Sequence, residues 1–131
     1  MRESILLFCM LFCHILDDYY LQGILASMKQ KRWWKENAPD PLYKNNYIIA
    51  LLEHAFSWTF MIHVPAIVYC IIFGKLPETI DFLVIFAFNW AIHATVDDLK
   101  ANQKGLNLLQ DQIIHIVQVI ITWFAYMSYV R

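Results

Sequence analysis

Histidine and aspartate recur at a spacing of four residues inside three apolar segments of the chain. The pairs are His14 and Asp18, His93 and Asp97, and, in the reverse order, Asp111 and His115. On a helix, residues four apart lie on the same face, so each pair points two side chains toward one place. Neutral imidazole and carboxylate groups are common ligands of zinc, manganese and iron, and paired ligands on facing helices hold the two ions of di-metal bundles. The spacing therefore predicts a divalent metal site.

Seven residues are candidate metal ligands, because a further apolar segment adds a fourth imidazole. They are His14, Asp18, His54, His93, Asp97, Asp111 and His115. One ion needs three or four of these donors, and seven donors are better suited to two ions. We expect His54 at the edge of the cluster, and the first and third helices side by side rather than on opposite sides of the bundle. The alternative is a structural role, in which the His–Asp pairs are buried hydrogen bonds that clamp the helices.

Two further residues are candidates for catalysis. Glu53 precedes His54 and would act as a general base, or it is only a solvated carboxylate at the membrane interface. Lys100 follows the third helix's His–Asp pair and would contact a phosphate or carboxylate, or it extends along the helix to reach water. Covalent catalysis is not favoured, because no Ser or Cys nucleophile with a base at helical spacing is recognisable.

Other polar residues are predicted to support these groups rather than to bind metal. Asp17 and Asp98 lie about 100° around the helix from their neighbours, which suits hydrogen-bonding or interfacial positions. Three amides are predicted to be hydrogen-bonding partners, namely Gln22, Asn89 and Gln112. His63 lies beside Pro65, away from the other histidines, and is predicted to be structural.

The segments that carry these residues are long and apolar. Of the 131 residues, 60% are hydrophobic and only 16% are charged, and the mean hydropathy is +0.45. A soluble domain is about 25% charged, so the composition indicates an integral membrane protein. Four segments reach the ~20 residues that span a bilayer, namely 4–27, 46–73, 79–99 and 107–129. They predict a single all-α domain, a transmembrane four-helix bundle with one long loop at 28–45.

The overall charge and the cysteines exclude two classes of protein. The net charge of −1 gives no general attraction to nucleic acid, so no nucleic-acid partner is expected. The three cysteines are odd in number and lie inside apolar segments, which does not suit a disulfide framework. Membrane lipid is therefore the expected surrounding and partner.

Lysine and arginine are concentrated on one side of the predicted bundle. Seven of the ten lie in the segments 28–45 and 100–106, and loops rich in positive charge remain in the cytoplasm. The sequence therefore predicts that both termini lie outside the cytoplasm. With this topology, the His–Asp pairs and His54 fall in the cytoplasmic half of the membrane at overlapping depths. Because ionisable groups in a membrane usually face the bundle interior and mark function, we expect their side chains to form one cluster.

Three motifs connect the chain with a known family. H-x-x-x-D-x-x-x-Q begins at His14, H-x-x-x-D-x-x-K begins at His93, and D-Q-x-x-H begins at Asp111, with L-L-E-H ending at His54. In order and spacing they resemble the small membrane proteins of bacteria and phages grouped as domain-of-unknown-function family 3307. The resemblance covers nearly the whole chain and implies a polytopic protein of the bacterial inner membrane, without an established activity. A looser similarity, in histidine-rich helices, to small inner-membrane proteins described as metal-dependent hydrolases favours hydrolysis.

These patterns favour an intramembrane metal-dependent hydrolase that acts on a lipid, or on a lipid-linked phosphate or ester, from the cytoplasmic leaflet. The metal would activate a water molecule and polarise the scissile group. One alternative is transport of a divalent ion or protons along the same residues, and another is a non-catalytic membrane protein whose 28–45 loop binds a partner. The outer halves of the last three helices, I-V-Y-C-I-I-F, F-L-V-I-F-A-F and V-I-I-T-W-F-A-Y, show no polar trail, which disfavours transport. Four helices would also need to form a homo-oligomer to make a pore.

Overall fold

Helices make up nearly all of the chain in the computed structural model, which describes residues 1–130. In chain order they are α1 (Arg2–Leu16), α2 (Leu25–Met28), α3 (Lys31–Asn37), α4 (Asn46–Phe73), α5 (Thr79–Ala101) and α6 (Leu108–Val130). A π-helical turn, Asp17–Leu21, extends α1, and a 3₁₀ turn, Pro41–Tyr43, precedes α4. The residues from 1 to 130 contain no strand, and the all-α prediction is confirmed.

Four stretches of helix are long and apolar enough to cross a membrane, as expected for an integral membrane protein. They are Arg2–Leu21, Pro41–Phe73, Thr79–Ala101 and Leu108–Tyr129. Large apolar side chains point away from the bundle on all four, and Phe8, Ile71, Ile80 and Phe124 are each more than 60% exposed. A surface this apolar is suited to lipid rather than to water.

The first predicted segment, 4–27, ends earlier than expected. The π-helical turn stops at Leu21, and Gly23 has a φ of +51°. This left-handed conformation is common just beyond the C-terminus of a helix, and it changes the direction of the chain before α2. The predicted 28–45 loop is also more ordered than expected, because it contains α3 and the 3₁₀ turn. The other three predicted segments agree with α4, α5 and α6 to within two residues at each end, and α4 continues through Pro65.

Helices α4 and α6 form the short diagonal of the bundle. Helix α1 packs against both of them, α5 also packs against both, and α4 and α6 touch each other. Helices α1 and α5 therefore lie on opposite sides, so the prediction that the first and third long helices are side by side is wrong. Because α4 and α6 approach closely between them, side chains from all four long helices can still meet on the bundle axis.

The connections divide the bundle into two ends. At the loop end, the Lys31 N–H donates to Asn102 Oδ1 at 2.7 Å, which joins the start of α3 to the connection between α5 and α6. At the terminal end, the Lys75 N–H donates to the Tyr129 carbonyl at 3.3 Å, and Trp123 Nε1 donates to the Glu3 carbonyl at 2.9 Å. The two basic segments of the sequence therefore lie together at the loop end.

The interior changes from apolar to polar along the bundle axis. Toward the terminal end, Met10, Ile62, Ala66 and Val119 are completely buried in one apolar core. Trp58 belongs to the same core and is also completely buried. Its indole contacts the histidines described below, so it marks the boundary between the apolar half and the polar loop half.

Candidate metal centre

Asp97 of α5 lies at the centre of the polar cluster. Its Oδ2 is 2.7 Å from His54 Nε2 and 3.6 Å from His93 Nε2, and its Oδ1 is 3.4 Å from His115 Nε2. Only 2% of the Asp97 side chain is exposed, and all three histidines are completely buried. One carboxylate thus faces imidazoles from α4, α5 and α6.

Five of the seven predicted ligands form two overlapping groups of donor atoms. Asp18, His54 and His93 form one group, and His93, Asp97 and His115 form the other. Within each group the donor atoms all lie within 4.8 Å of one another. Asp18 comes from the π-helical turn, so every long helical segment contributes at least one donor. Nitrogen and oxygen donors at this spacing suit zinc, manganese or iron, and the buried cluster is able to hold a divalent ion.

The remaining two predicted ligands lie at the edge of the cluster, and the expectation that His54 would occupy the edge is wrong. His14 Nδ1 accepts a hydrogen bond from Trp58 Nε1 at 2.7 Å, and its ring centroid lies 6.0 Å from that of His115. Asp111 Oδ1 lies 3.4 Å from His115 Nε2 and has no hydrogen-bond partner among the described residues.

The two predicted catalytic residues differ in their positions. Lys100 Nζ lies 2.6 Å from Asp111 Oδ2, and its side chain is 32% exposed, so it connects the cluster with the surface. Glu53 is exposed on the outer face of α4, although His54 beside it is completely buried. Successive helical residues are about 100° apart, which is why the two side chains diverge. The structure therefore does not bring Glu53 to the cluster.

His93 is the most deeply enclosed imidazole. Its ring stacks on Trp58 on one side and on His115 on the other, with ring centroids 4.2 Å apart in both contacts. Both ring nitrogens are buried, and neither has a hydrogen-bond partner among residues 1–130. Buried polar groups are normally satisfied, so a free His93 Nε2 that lies 3.6 Å from Asp97 Oδ2 is placed as a nitrogen ligand of a metal ion would be. The donor set therefore fits a divalent ion.

A π-helical turn sets the direction of the two neighbouring aspartates. Asp17 is completely buried, where its carboxylate accepts hydrogen bonds from Ser57 Oγ at 2.8 Å and from Gln22 Nε2. Asp18 Oδ1 faces His54 Nε2 at 3.5 Å. In a regular α-helix adjacent side chains diverge by about 100°, and the wider turn brings both carboxylates inward. Asp17 is thus confirmed as a hydrogen-bonding residue beside the cluster.

Lys29 is a member of the cluster that the sequence analysis missed. Its Nζ lies 2.6 Å from Asp97 Oδ2 and 2.8 Å from His54 Nε2, and its side chain is only 13% exposed. In the sequence, this lysine is only one of the basic residues of the 28–45 loop. The turn at Gly23 directs α2 back over the bundle, and Asn102 Nδ2 donates to the Lys29 carbonyl at 3.0 Å to hold it there.

The cluster and the residues directly beside it contain more carboxylates than ammonium groups. The carboxylates are those of Asp18, Asp97 and Asp111 and, beside the cluster, Asp17, and the ammonium groups are those of Lys29 and Lys100. With neutral imidazoles, four carboxylates and two ammonium groups leave a formal charge of −2. Uncompensated charge inside a membrane protein is costly, and a divalent cation would neutralise it.

Two other residues that were predicted to have a supporting role, Gln112 and Asp98, differ in their relation to the cluster. Gln112 Nε2 donates to Asp18 Oδ2 at 3.2 Å and to Asp111 Oδ2 at 3.0 Å, so it ties these two carboxylates together. Asp98 instead accepts from Asn102 and Gln103 at the end of α5, outside the cluster.

A second polar layer lies on the terminal side of the histidines. Gln118 Nε2 donates to the Asn89 carbonyl at 2.8 Å, and Asn89 Nδ2 donates to Thr122 Oγ1 at 2.8 Å. Farther out, the rings of His63 and Tyr126 lie 5.7 Å apart, and His63 Nε2 and Tyr126 Oη are buried without a partner in the described part of the chain. The expectation of no polar trail is therefore wrong for the outer half of α6, where Thr122 and Tyr126 are buried.

The α6 residues of this trail had a readable signal. Buried polar residues recur there every three or four positions, which is one face of a helix, namely Asp111, His115, Gln118, Thr122 and Tyr126.

Comparison with known proteins found no matching family model, no matching curated protein and no matching solved structure.

Proposed function

We propose that the protein is an intramembrane metal-dependent hydrolase that acts on a lipid or on a lipid-linked phosphate or ester. The observation that carries this proposal is His93, which belongs to both groups of His and Asp donors and whose ring nitrogens have no hydrogen-bond partner among residues 1–130. The formal charge of −2 and the presence of donors from every long helix support it further. We also propose that the chain belongs to domain-of-unknown-function family 3307, which its motifs resemble. Membership of that family is compatible with a hydrolase.

The ligands would be drawn from Asp18, His54, His93, Asp97 and His115, and the two overlapping groups would suit one or two ions. When bound, a divalent ion would lower the pKa of a water molecule and polarise the scissile group. Lys29 Nζ now contacts Asp97 and His54, so its ammonium must withdraw before both residues can act as ligands. The lysine is joined to the chain by four flexible methylene groups, which allows such a withdrawal.

An aspartate would accept the proton from water and return it to the leaving group. Glu53 would not do so, because it is exposed on the outer face. Asp111 lies outside both donor groups, and its Oδ1 has no hydrogen-bond partner in the described residues. This oxygen can accept a proton from water and return it to a leaving group. Gln112 fixes the carboxylate from the other side, and Lys100 is exposed enough to contact a substrate phosphate.

The substrate would enter from the cytoplasmic leaflet of a bacterial inner membrane. Seven of the ten Lys and Arg residues belong to the two segments that meet at the loop end, and this end would face the cytoplasm. Both termini would then lie outside the cytoplasm. The candidate metal centre is also closer to the loop end, so a lipid headgroup would have a short path to it.

Metal analysis of the purified protein tests this proposal. Protein extracted in detergent without chelator should carry at least one equivalent of zinc, manganese or iron by mass spectrometry. His93→Ala should lose most of the metal, and His93→Gln, which keeps more of the volume, should lose it as well. His63→Ala is the matched control, because His63 is equally buried but lies outside both donor groups.

Hydrolysis should follow the metal content. Release of phosphate or of fatty acid from phosphatidylglycerol and phosphatidate in mixed micelles should be lost in both His93 variants and retained in His63→Ala. A wild-type protein without a stoichiometric divalent ion, or equal metal in all three variants, would contradict the proposal.

Proton transfer across the membrane is a second candidate function, which is favoured by the polar trail along α6. Asp111 and Tyr126 mark its ends and lie about 22 Å apart along the helix axis. Proteoliposomes with an internal pH dye would reveal such a flux under a potassium diffusion potential. Gln118→Leu should abolish the flux, and Ser128→Ala, an exposed position near the end of α6, should retain it. An unchanged flux in Gln118→Leu would exclude this path.

A further inference from the structure

A cavity of about 690 Å³ lies at the loop end, outside the candidate metal centre. It is bordered by α3, by the 3₁₀ turn and by the beginning of α4. Three lysines line it, namely Lys31, Lys35 and Lys44, and Asp40 is the only acidic residue in its wall. Its volume lies in the range of pockets that hold small ligands.

The charges of the cavity favour an anion. Asp40 Oδ1 already accepts the Leu42 N–H at 2.8 Å, as the cap of the 3₁₀ turn. Glu36, the other acidic residue of this segment, pairs with Arg32 at 2.6 Å and is not part of the cavity wall. The positive charge of the three lysines is therefore largely uncompensated within the cavity, which suits a phosphate group.

Two aromatic side chains give the cavity a fixed wall. Trp34 Nε1 donates to the Met28 carbonyl at 2.6 Å, and its ring packs edge-on against Trp33 with centroids 5.0 Å apart. Lys31 Nζ lies 4.8 Å from the centre of the Tyr47 ring, a cation–π contact that holds this ammonium at the cavity. Trp and Tyr are typical of the layer where a membrane protein meets the lipid headgroups.

An apolar surface continues from the cavity along the membrane-facing side of α4. Ile48 and Ile49 directly follow the cavity residue Tyr47, and they are 40% and 58% exposed. Leu42, in the 3₁₀ turn beside the cavity, is 77% exposed. A phosphate held by the lysines would thus be close to a surface suited to acyl chains, which a soluble anion does not need.

We propose that this cavity binds the headgroup of an anionic phospholipid, with the phosphate at the three lysines and the acyl chains along the start of α4. None of the candidate metal ligands lines the cavity. Lipid binding there would therefore persist whether or not the protein holds metal or hydrolyses lipid.

Native mass spectrometry of the protein in a neutral detergent tests this site. Dioleoyl phosphatidylglycerol is titrated in, with dioleoyl phosphatidylcholine and inorganic phosphate as separate arms. We expect one phosphatidylglycerol molecule to bind tightly and phosphatidylcholine to bind little. Inorganic phosphate should not compete with phosphatidylglycerol for the site. The double variant Lys35→Gln/Lys44→Gln should bind phosphatidylglycerol roughly 30-fold more weakly, since each lysine near anionic lipid contributes about fivefold.

The matched control is Lys75→Gln/Lys104→Gln, which removes the same charge from positions outside the cavity. This control should bind phosphatidylglycerol within about twofold of wild type. Circular dichroism and melting temperature would verify that both variants are folded, and the single variant Lys44→Gln, with about fivefold weaker binding, gives the same test if the double variant does not fold.

Three results would overturn the lipid site. Equal binding of the two phospholipids would show that charge does not select the ligand. Equal losses in the two double variants would show that net charge acts without a site. Competition by inorganic phosphate at the same concentration as the lipid would identify a site for a soluble anion instead.

Discussion

His93 and Lys29 differ in whether their polar atoms have partners within the cluster. The imidazole of His93 is enclosed by Trp58 and His115 but its nitrogens have no partner among residues 1–130. The ammonium of Lys29, by contrast, already contacts a carboxylate and an imidazole. The Lys29 ammonium therefore contacts Asp97 and His54, two of the residues that would bind a metal ion.

Replacing Lys29 with methionine should strengthen the binding of a divalent ion. The substitution keeps an unbranched side chain but removes a positive charge that lies 2.6 Å from Asp97 Oδ2. Because two cations compete for one carboxylate, we expect the apparent Kd for zinc or manganese to fall about tenfold. Competition titration against a coloured chelator would measure it. Lys35→Met, an exposed position in the same segment, is the control and should leave the Kd unchanged. Weaker metal binding in Lys29→Met would show that the lysine supports the site instead of competing for it.

At the scale of single elements, the end of α1 determines how the cluster is closed. The π-helical turn directs Asp17 and Asp18 inward, and the left-handed Gly23 then directs α2 over the loop end. Lys29 follows α2 directly, so its position at Asp97 depends on this change of direction. A straight helix over 4–27 would have carried the lysine away from the cluster.

Gly23→Ala should lower the free energy of unfolding by about 1 kcal/mol. No atom lies within 4 Å of an added Cβ, so the cost is the left-handed φ of +51° and not a clash. Gly105→Ala is a suitable control, because its φ is not in that region and its added Cβ would meet Leu99 only at ordinary contact distances. We expect the control to be neutral or slightly stabilising. Unfolding of both variants in detergent with increasing sodium dodecyl sulfate would give the comparison, and equal stability would contradict the role assigned to Gly23.

For the whole molecule, the decisive feature is an apolar exterior around a partly polar axis. All four long helices present large apolar side chains outward. Helices α1 and α5 lie on opposite sides of the contact between α4 and α6, and the buried polar side chains of all four meet on the bundle axis. In a membrane this arrangement keeps ionisable groups away from lipid, where they are costly. The two ends then differ in charge, which is the basis for the proposed orientation.

The orientation can be measured by cysteine labelling in a cysteine-free background. Arg2→Cys, at the terminal end, should react with an impermeant maleimide in intact spheroplasts, because that end is expected outside the cytoplasm. Lys35→Cys, at the loop end, should react only after permeabilisation. The opposite result would invert the orientation and place the candidate metal centre nearer the outer leaflet.

The sequence by itself determined the all-α fold and three of the four long helices to within two residues. It also identified the histidines and aspartates of the cluster, because i, i+4 spacing and apolar length are local properties of the chain. Asp18, His93, Asp97 and His115 could be selected in this way before any packing was known. The recurrence of polar residues along α6 was equally local and could have been read from the sequence.

The tertiary structure decided what depends on direction and on distant contacts. The rotation of α4 placed His54 at the centre and Glu53 on the outside, and the packing of α4 on α6 let α1 and α5 contribute from opposite sides. A widened turn brought Asp17 inward, and the chain reversal beyond Gly23 brought Lys29 to Asp97 across 68 residues of sequence. None of these follows from helical periodicity, because each depends on how one helix is rotated, ended or packed against another.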